Sequence, residues 1–245
     1  MRGEAILLLG GTTEAVILAR RIAGERPGDR LVTSLAGRTL APDRGEGETR
    51  TGGFGGAAGL AAFLREERIT RLVDATHPFA AGISRNAAAA ATEAGIPRIA
   101  LLRPPWMRAA GEHWIEVACL GAARDALPLG ARPFLALGRQ HIAPFRHRPD
   151  LAPVLRMVDP PAEPLPFTAT LILGKPGASV EAEAALLRDH AVTHLVSRNS
   201  GGTRSHAKIA AARRLGLPVV MIARPPEPDG PLARGIDEVM AWLGG

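Results

Sequence analysis

Two textures alternate along this chain. Short apolar runs such as "ILLL" (residues 6–9), "LV" (72–73) and "LV" (195–196) are separated by longer stretches rich in Ala, Arg and Leu. That alternation predicts an α/β protein whose parallel strands are joined by crossover helices. Strands are expected near residues 5–9, 31–35, 70–74, 98–102 and 114–118, with helices near 13–24, 56–67, 79–94 and 119–126. The pattern breaks between Pro128 and Pro133 and then resumes. A second series predicts strands near 134–137, 153–157, 169–173, 193–197 and 218–222, and helices near 178–189, 204–215 and 233–243. The chain therefore divides into two α/β halves, 1–128 and 129–245, each with room for four or five strands. Segments 41–56 and 158–168, rich in Gly or Pro, are expected to be ordered loops. The alanine run at 87–91 lies within a helix, as suits the best helix former.

Composition narrows the setting. A hydrophobic content of 46% is ample for a core without covalent staples. The single cysteine, Cys119, excludes an intrachain disulfide and a cysteine-based metal framework, so no metal site is expected. Cys119 itself is expected to be a small core residue in a reducing cytoplasm. No apolar stretch approaches the ~18 residues of a membrane span. Glu4 and Glu14 interrupt the one run that resembles a signal-peptide core. A soluble cytoplasmic protein without a membrane partner is expected.

The charge of +6 raises a polyanionic partner. Nucleic acid is disfavoured, because aromatic content is 4% with no Tyr and the basic residues are dispersed. Of the 30 basic residues all but Lys175 and Lys208 are arginine, so part of the basicity reads as compositional bias. The remainder suits an anionic small molecule.

Candidate chemistry gathers at strand ends, where helix N-termini present unpaired N–H groups. "ILLLGGTTEA" (6–15) ends a strand in Gly10 and Gly11, which admit close approach of a phosphate, and in Thr12 and Thr13, which can cap a helix or donate hydroxyls. Glu14 suits the helix dipole but would repel a diphosphate if it pointed inward. The turn lacks the full G-x-G-x-x-G spacing, so a ligand-free connection is the alternative. The second strand ends "TSLAGRT" (33–39), with Ser34, Arg38 and Thr39 and no acid for a ribose 2′-hydroxyl. This favours NADPH over NADH.

In "LVDATHPFA" (72–80), Asp74 or Thr76 either caps the next helix or faces a ligand, and His77 before a helix N-terminus suits a neutral imidazole that binds or transfers protons. "LVSRNSGGTRSHAKIAAARRLG" (195–216) repeats the strand–glycine turn–helix device in the second half. Arg204 and Lys208 stand near that helix's start, where positive charge opposes the macrodipole and calls for an anion. Lys175 in "LGKPGAS" (173–179) also sits beside glycines at a strand end.

Together, "ILLLGGTTEA", "SLAGRT", "DATHPFAAGIS" and "SRNSGGTRSHAKIAAARRLGLPVV" closely resemble the precorrin-6A reductase family of cobalamin biosynthesis. The resemblance runs in order over most of the chain and is weakest in 104–168. It implies NADPH-dependent reduction of one double bond in precorrin-6A or its cobalt form. It also implies two Rossmann-like domains around a cleft, and allows a strand exchanged between them. The many acetate and propionate groups of such a tetrapyrrole would explain the dispersed arginines.

Carried over, Gly10, Gly11, Thr12 and Thr13 would take the cofactor's phosphates, and Ser34, Arg38 and Thr39 its 2′-phosphate. Asp74, Thr76 and His77 would border the nicotinamide or the macrocycle. Arg139 in "LGRQ", Lys175, Arg198, Asn199, Ser200, Gly201, Gly202, Thr203, Arg204 and Lys208 would line a second wall. His77, Asp74 and Lys208 are the candidates for catalysis, with a bound water open as proton donor. Two other readings compete. A short-chain carbonyl reductase would need a Tyr that the chain lacks. A non-catalytic NADP sensor would need only the first half's turn. A monomer is compatible with all of these readings.

Overall fold

A computed structural model describes residues 3–37, 46–161, 163–174, 177, 179–203 and 205–245. In chain order its strands and helices are β1 (Ala5–Leu9), α1 (Thr13–Glu25), β2 (Arg30–Leu35), β3 (Glu48–Thr51), α2 (Ala57–Glu66), β4 (Arg71–Asp74), α3 (Ala81–Ala94) and β5 (Arg98–Leu101). There follow β6 (Trp114–Val117), α4 (Leu120–Asp125), β7 (Pro133–Ala136), β8 (Val154–Met157), β9 (Thr170–Leu173) and α5 (Val180–Asp189). The chain ends with β10 (His194–Arg198), α6 (Ala207–Arg214), β11 (Val219–Ile222), β12 (Leu232–Ala233) and α7 (Ile236–Gly244). The strands form two six-stranded sheets in which every pair is parallel.

The first unit comprises Met1–Pro104 and Pro225–Gly245. Its strand order is β12-β5-β4-β1-β2-β3, which is the doubly wound Rossmann order once β12 is counted as the sixth strand. β1 lies centrally, and Ile6, Leu7 and Leu8 are wholly buried because helices cover both faces of a parallel sheet. On one face α1 and α7 contribute Leu18, Ile22, Val239 and Leu243. On the other, Leu60 and Leu64 of α2 meet Ala87, Ala90 and Ala91 of α3. The spacing of those alanines places them on one helical face, where small side chains permit close packing.

The second unit, Pro105–Arg224, has the order β6-β11-β10-β7-β8-β9. β7 to β11 occupy Rossmann positions one to five, and β6 takes the sixth although it comes first in the chain. The two sixth strands are thus exchanged. β6 follows β5 in sequence but pairs with β11, whereas β12 follows β11 and pairs with β5. The core joins Phe134, Val154, Leu195 and Val219 to Leu187 of α5 and Ile209 of α6. A buried ion pair, Arg156 to Glu183 at 2.6 Å, also fixes Gly177, whose N–H donates to Glu183 Oε1 at 2.7 Å.

Two Rossmann-like parallel sheets were expected and are present, but details differ. The line at 127–133 divides the chain's two runs of β–α units without dividing its compact units. Residues 105–128 build the second sheet, and residues 225–245 return to the first. Among the described residues each sheet has six strands rather than four or five. The extra strand β3, "ETRT", lies inside the expected loop 41–56; it is a polar edge strand held by backbone pairing to β2, so no apolar run announces it. Cys119 is exposed rather than buried, and its Sγ caps α4 by accepting from Ala122 N at 3.5 Å. Among the described residues no helix is long and apolar enough to cross a membrane.

Candidate active site

In the first unit β1 and β4 are neighbours, with Leu9 beside Asp74, and the strand order reverses between them. This is the switch point at which open α/β sheets hold ligands. The two glycines after β1 differ in purpose. A Cβ at Gly10 would meet Leu35 Cδ2 at 3.3 Å, Thr33 Cγ2 at 3.4 Å and Ala15 Cβ at 3.6 Å, so Gly10 serves close packing. Gly11 has φ +103° and its Cβ would meet nothing within 4 Å, so it opens the turn at the start of α1 to solvent. That open, left-handed glycine before a helix N-terminus fits a diphosphate.

The Thr12 hydroxyl is already committed. It accepts from Ala15 N at 3.1 Å, capping α1, and donates to Ala75 O at 2.8 Å, tying the β1 turn to the β4 turn. Phosphate contacts at this turn therefore fall to backbone amides rather than to that hydroxyl. Thr13 is exposed at the first helical position. Glu14 is held by Arg103, which follows β5, at 2.5 Å. Its charge is neutralised within the unit, which removes the repulsion the sequence raised.

Asp74 ends β4 and is 3% exposed. Its Oδ1 accepts from Thr76 N at 3.1 Å and from Thr76 Oγ1 at 2.7 Å, the geometry of an Asx turn. Oδ2 is buried without a hydrogen-bond partner among the described residues. Neither Asp74 nor Thr76 caps the next helix: α3 begins at Ala81, after a turn, with Ala80 as a cap that makes no side-chain bond. His77 lies in that turn and not at the helix N-terminus. Its Nδ1 accepts from Phe79 N at 3.2 Å, a contact open only to a ring unprotonated at Nδ1, which puts the neutral ring's proton on Nε2.

At the end of β2, Ser34 is buried; its carbonyl accepts from Gly10 N at 2.9 Å, and its Oγ accepts from Arg50 Nη1 at 3.0 Å. Arg38 and Thr39 lie outside the described residues, as do Lys175 and Arg204. Arg50 was not singled out by sequence reasoning, because the strand that carries it was read as loop.

In the second unit β7 and β10 meet at the corresponding switch point, with Ala136 beside Ser197. The counterpart of the Gly10–Gly11 turn is therefore the exit of β7, where exposed Arg139 opens a 3-10 turn. Arg198 ends β10, and the segment 199–203 that follows corresponds instead to the turn of Asp74 and His77. Within it Gly201 and Gly202 have φ of +64° and +78°, Ser200 is buried and Thr203 exposed.

Trp106, missed in the sequence, organises this turn. Its N–H donates to Asn199 Oδ1 at 2.8 Å, Asn199 Nδ2 donates to its carbonyl at 3.0 Å, and its indole Nε1 donates to Gly202 O at 2.7 Å. Asn199 was expected to line the ligand wall, yet both ends of its amide are spent on Trp106. Arg224 Nε adds a bond to Asn199 O at 2.7 Å.

Lys208, at the second position of α6, is also built in: it is 8% exposed, its Nζ donates to Ser205 O at 2.7 Å and lies 4.9 Å from the centre of the Trp106 ring. A carbonyl and an aromatic face both stabilise the ammonium there. Among the described residues no group of three metal-ligating side chains assembles.

Parallel sheets in Rossmann order, with an open glycine turn at the first switch point, define a Rossmann-like α/β protein of the nucleotide-binding kind. A family model described as "Precorrin-6x reductase CbiJ/CobK" matches residues 5–244. The precorrin-6A reductase of Rhodococcus erythropolis is 47% identical over 98% of this chain and 97% of its own length. That of Rhodobacter capsulatus is 45% identical over 97% and 95%. A solved structure titled "CobK precorrin-6A reductase" superposes with a TM-score of 0.93 at 44% identity, covering 98% of this chain and 96% of that one. The chain belongs to the precorrin-6A reductase CbiJ/CobK family, oxidoreductases of cobalamin biosynthesis. Membership in a reductase family implies a reduced nucleotide cofactor.

Proposed function

We propose that the chain reduces one double bond of precorrin-6A to give precorrin-6B, with NADPH as the hydride donor. The observation that carries the cofactor half of this reading is the open Gly11 turn at the β1–β4 switch point, together with a β2 whose carboxyl end, Ser34 and Leu35, bears no carboxylate. NADPH, when bound, supplies the hydride to one ring carbon, and the neighbouring carbon takes a proton.

The protein's own part is positioning. Backbone amides of Gly11, Thr12 and Thr13 bind the diphosphate, while Gly10, whose own amide bonds Ser34 O, lets the strands close beneath it. Ser34, with Arg38 and Thr39 after it in the chain, reads the ribose phosphate. Asp74, Thr76 and His77 border the reacting ring, and His77, relaying a proton from solvent, or a bound water serves as the proton source. In the second unit Arg139, Arg198, Ser200, Gly201, Gly202 and Thr203, with Lys175 and Arg204, hold the substrate's carboxylates. Lys208 and Asn199 act there through the Trp106 clasp.

The test is oxidation of NADPH by purified protein with precorrin-6A. Macrocycle-dependent loss of NADPH absorbance is expected. Binding of NADP without turnover would overturn the reading in favour of a sensor. Running cobalt-free and cobalt-bearing substrates side by side identifies the route.

A further inference from the structure

Two arginines on neighbouring strands of the first sheet have opposite electrostatic surroundings. Arg30, at the start of β2, is flanked by Glu48 at 2.8 and 2.9 Å and by Glu67 at 2.7 Å. Arg50, two residues past Glu48 on β3, meets no carboxylate among the described residues. Its Nη1 donates to Ser34 Oγ at 3.0 Å and to Gly52 O at 3.1 Å, and its Nη2 donates to Gly53 O at 3.1 Å. All three acceptors are neutral. The guanidinium carbon lies 3.8 Å from the centre of the Phe54 ring and 5.0 Å from that of Phe63.

This cation is therefore held in place without being neutralised. Burial pulls its pKa below the ordinary arginine value, and no carboxylate opposes that shift. Stacking on Phe54 fixes the plane of the fork. Two of its five N–H donors, the Nε–H among them, have no acceptor among the described residues. Two free donors on one planar group suit an anion with several oxygens.

Its position specifies the anion. Arg50 is the register partner of Ser34, near the carboxyl ends of β2 and β3. In a Rossmann sheet the end of β2 is where the ribose 2′ substituent is read. Ser34 accepts from Arg50 and so keeps its own hydroxyl proton to donate. We propose that Arg50 is a specificity-determining residue that binds the 2′-phosphate of NADPH, oriented by Ser34, Gly52, Gly53 and the Phe54 ring. This inference rests on the NADPH reading above and adds a residue to it.

The test is equilibrium binding of 2′,5′-ADP and 5′-AMP to the wild-type chain and to Arg50→Met and Arg50→Lys. The wild type should prefer 2′,5′-ADP. Arg50→Met should bind 2′,5′-ADP about ten- to a hundredfold more weakly, with 5′-AMP binding unchanged, and Arg50→Lys should fall between. If the wild type shows no preference, the NADPH reading fails and this one with it. If the wild type prefers 2′,5′-ADP and Arg50→Met keeps that preference, only the assignment to Arg50 fails. Should Arg50→Met not fold, phenylglyoxal footprinting of the wild type decides the matter. Protection of Arg50 by 2′,5′-ADP but not by 5′-AMP supports the proposal, and equal labelling with either nucleotide overturns it.

Discussion

Trp106 and Asn199 clasp one another through two reciprocal hydrogen bonds, at 2.8 and 3.0 Å, across 93 positions of sequence. The clasp sets the turn 199–203 because the same indole bonds Gly202 O. Asn199→Ala should cost about 1–3 kcal/mol of stability, since it leaves a buried backbone amide unpaired. It should also raise KM for the macrocycle more than it lowers kcat. Urea melts and steady-state kinetics check both; an unchanged melt would show that the clasp contributes little to stability.

The two turn glycines should fail differently. Gly10→Ala brings a methyl within 3.3–3.4 Å of Leu35 and Thr33, so its main effect is lost stability. Gly11→Ala forces a left-handed φ of +103° on a residue with Cβ, at about 1–2 kcal/mol, and places a methyl in the open side of the turn. Its main effect should be weaker NADPH binding. Calorimetric titration of both variants separates the roles.

Asp74→Asn keeps an oxygen for Thr76 but replaces the carboxyl group at the buried end of β4 by an amide. A loss in kcat of roughly a hundredfold is expected if this group supports proton delivery. Unaltered kcat with an unaltered melting temperature would confine Asp74 to shaping its turn.

Stability at acid pH should carry one local signature. The side-chain bond from Arg148 holds the Asp150 carboxyl down at about 2, against an ordinary 3.8. A folded-state pKa below the unfolded one stabilises the protein above about pH 4, and that contribution is lost as pH falls through about 2. Arg148 also donates to Arg124 O and Leu127 O, so the pair secures the link from α4 to β7. In urea melts the stability gap between wild type and Asp150→Asn should be full at pH 5 and clearly narrower at pH 2.5.

What could be read from the sequence followed burial. β1 and β7 are near-continuous apolar runs and β4 and β10 each carry a buried Leu–Val pair because both faces are covered, and the glycine and Asp74 turns stand at the ends of β1 and β4. β3 is a polar edge strand and β12 only two residues long, so neither has a side-chain period to detect. Arg50 and Trp106 escaped notice for a second reason. Their importance lies in contacts with Ser34 and Asn199, and pattern along the chain does not encode who meets whom. Lys208 was singled out for its place at a helix start; a neighbour that the sequence does not reveal is again Trp106, remote in the chain.

The exchanged sixth strands impose an order on biosynthesis. As the nascent chain leaves the ribosome, all six strands of the second sheet have emerged once residue 222 is out, while the first sheet still shows the bare outer rim of β5. Among the described residues only β12, at residues 232 and 233, closes that rim. The unit whose strands begin the sequence is thus completed after the other, and a chain that stops short of β12 carries one six-stranded sheet and one with an open edge at β5.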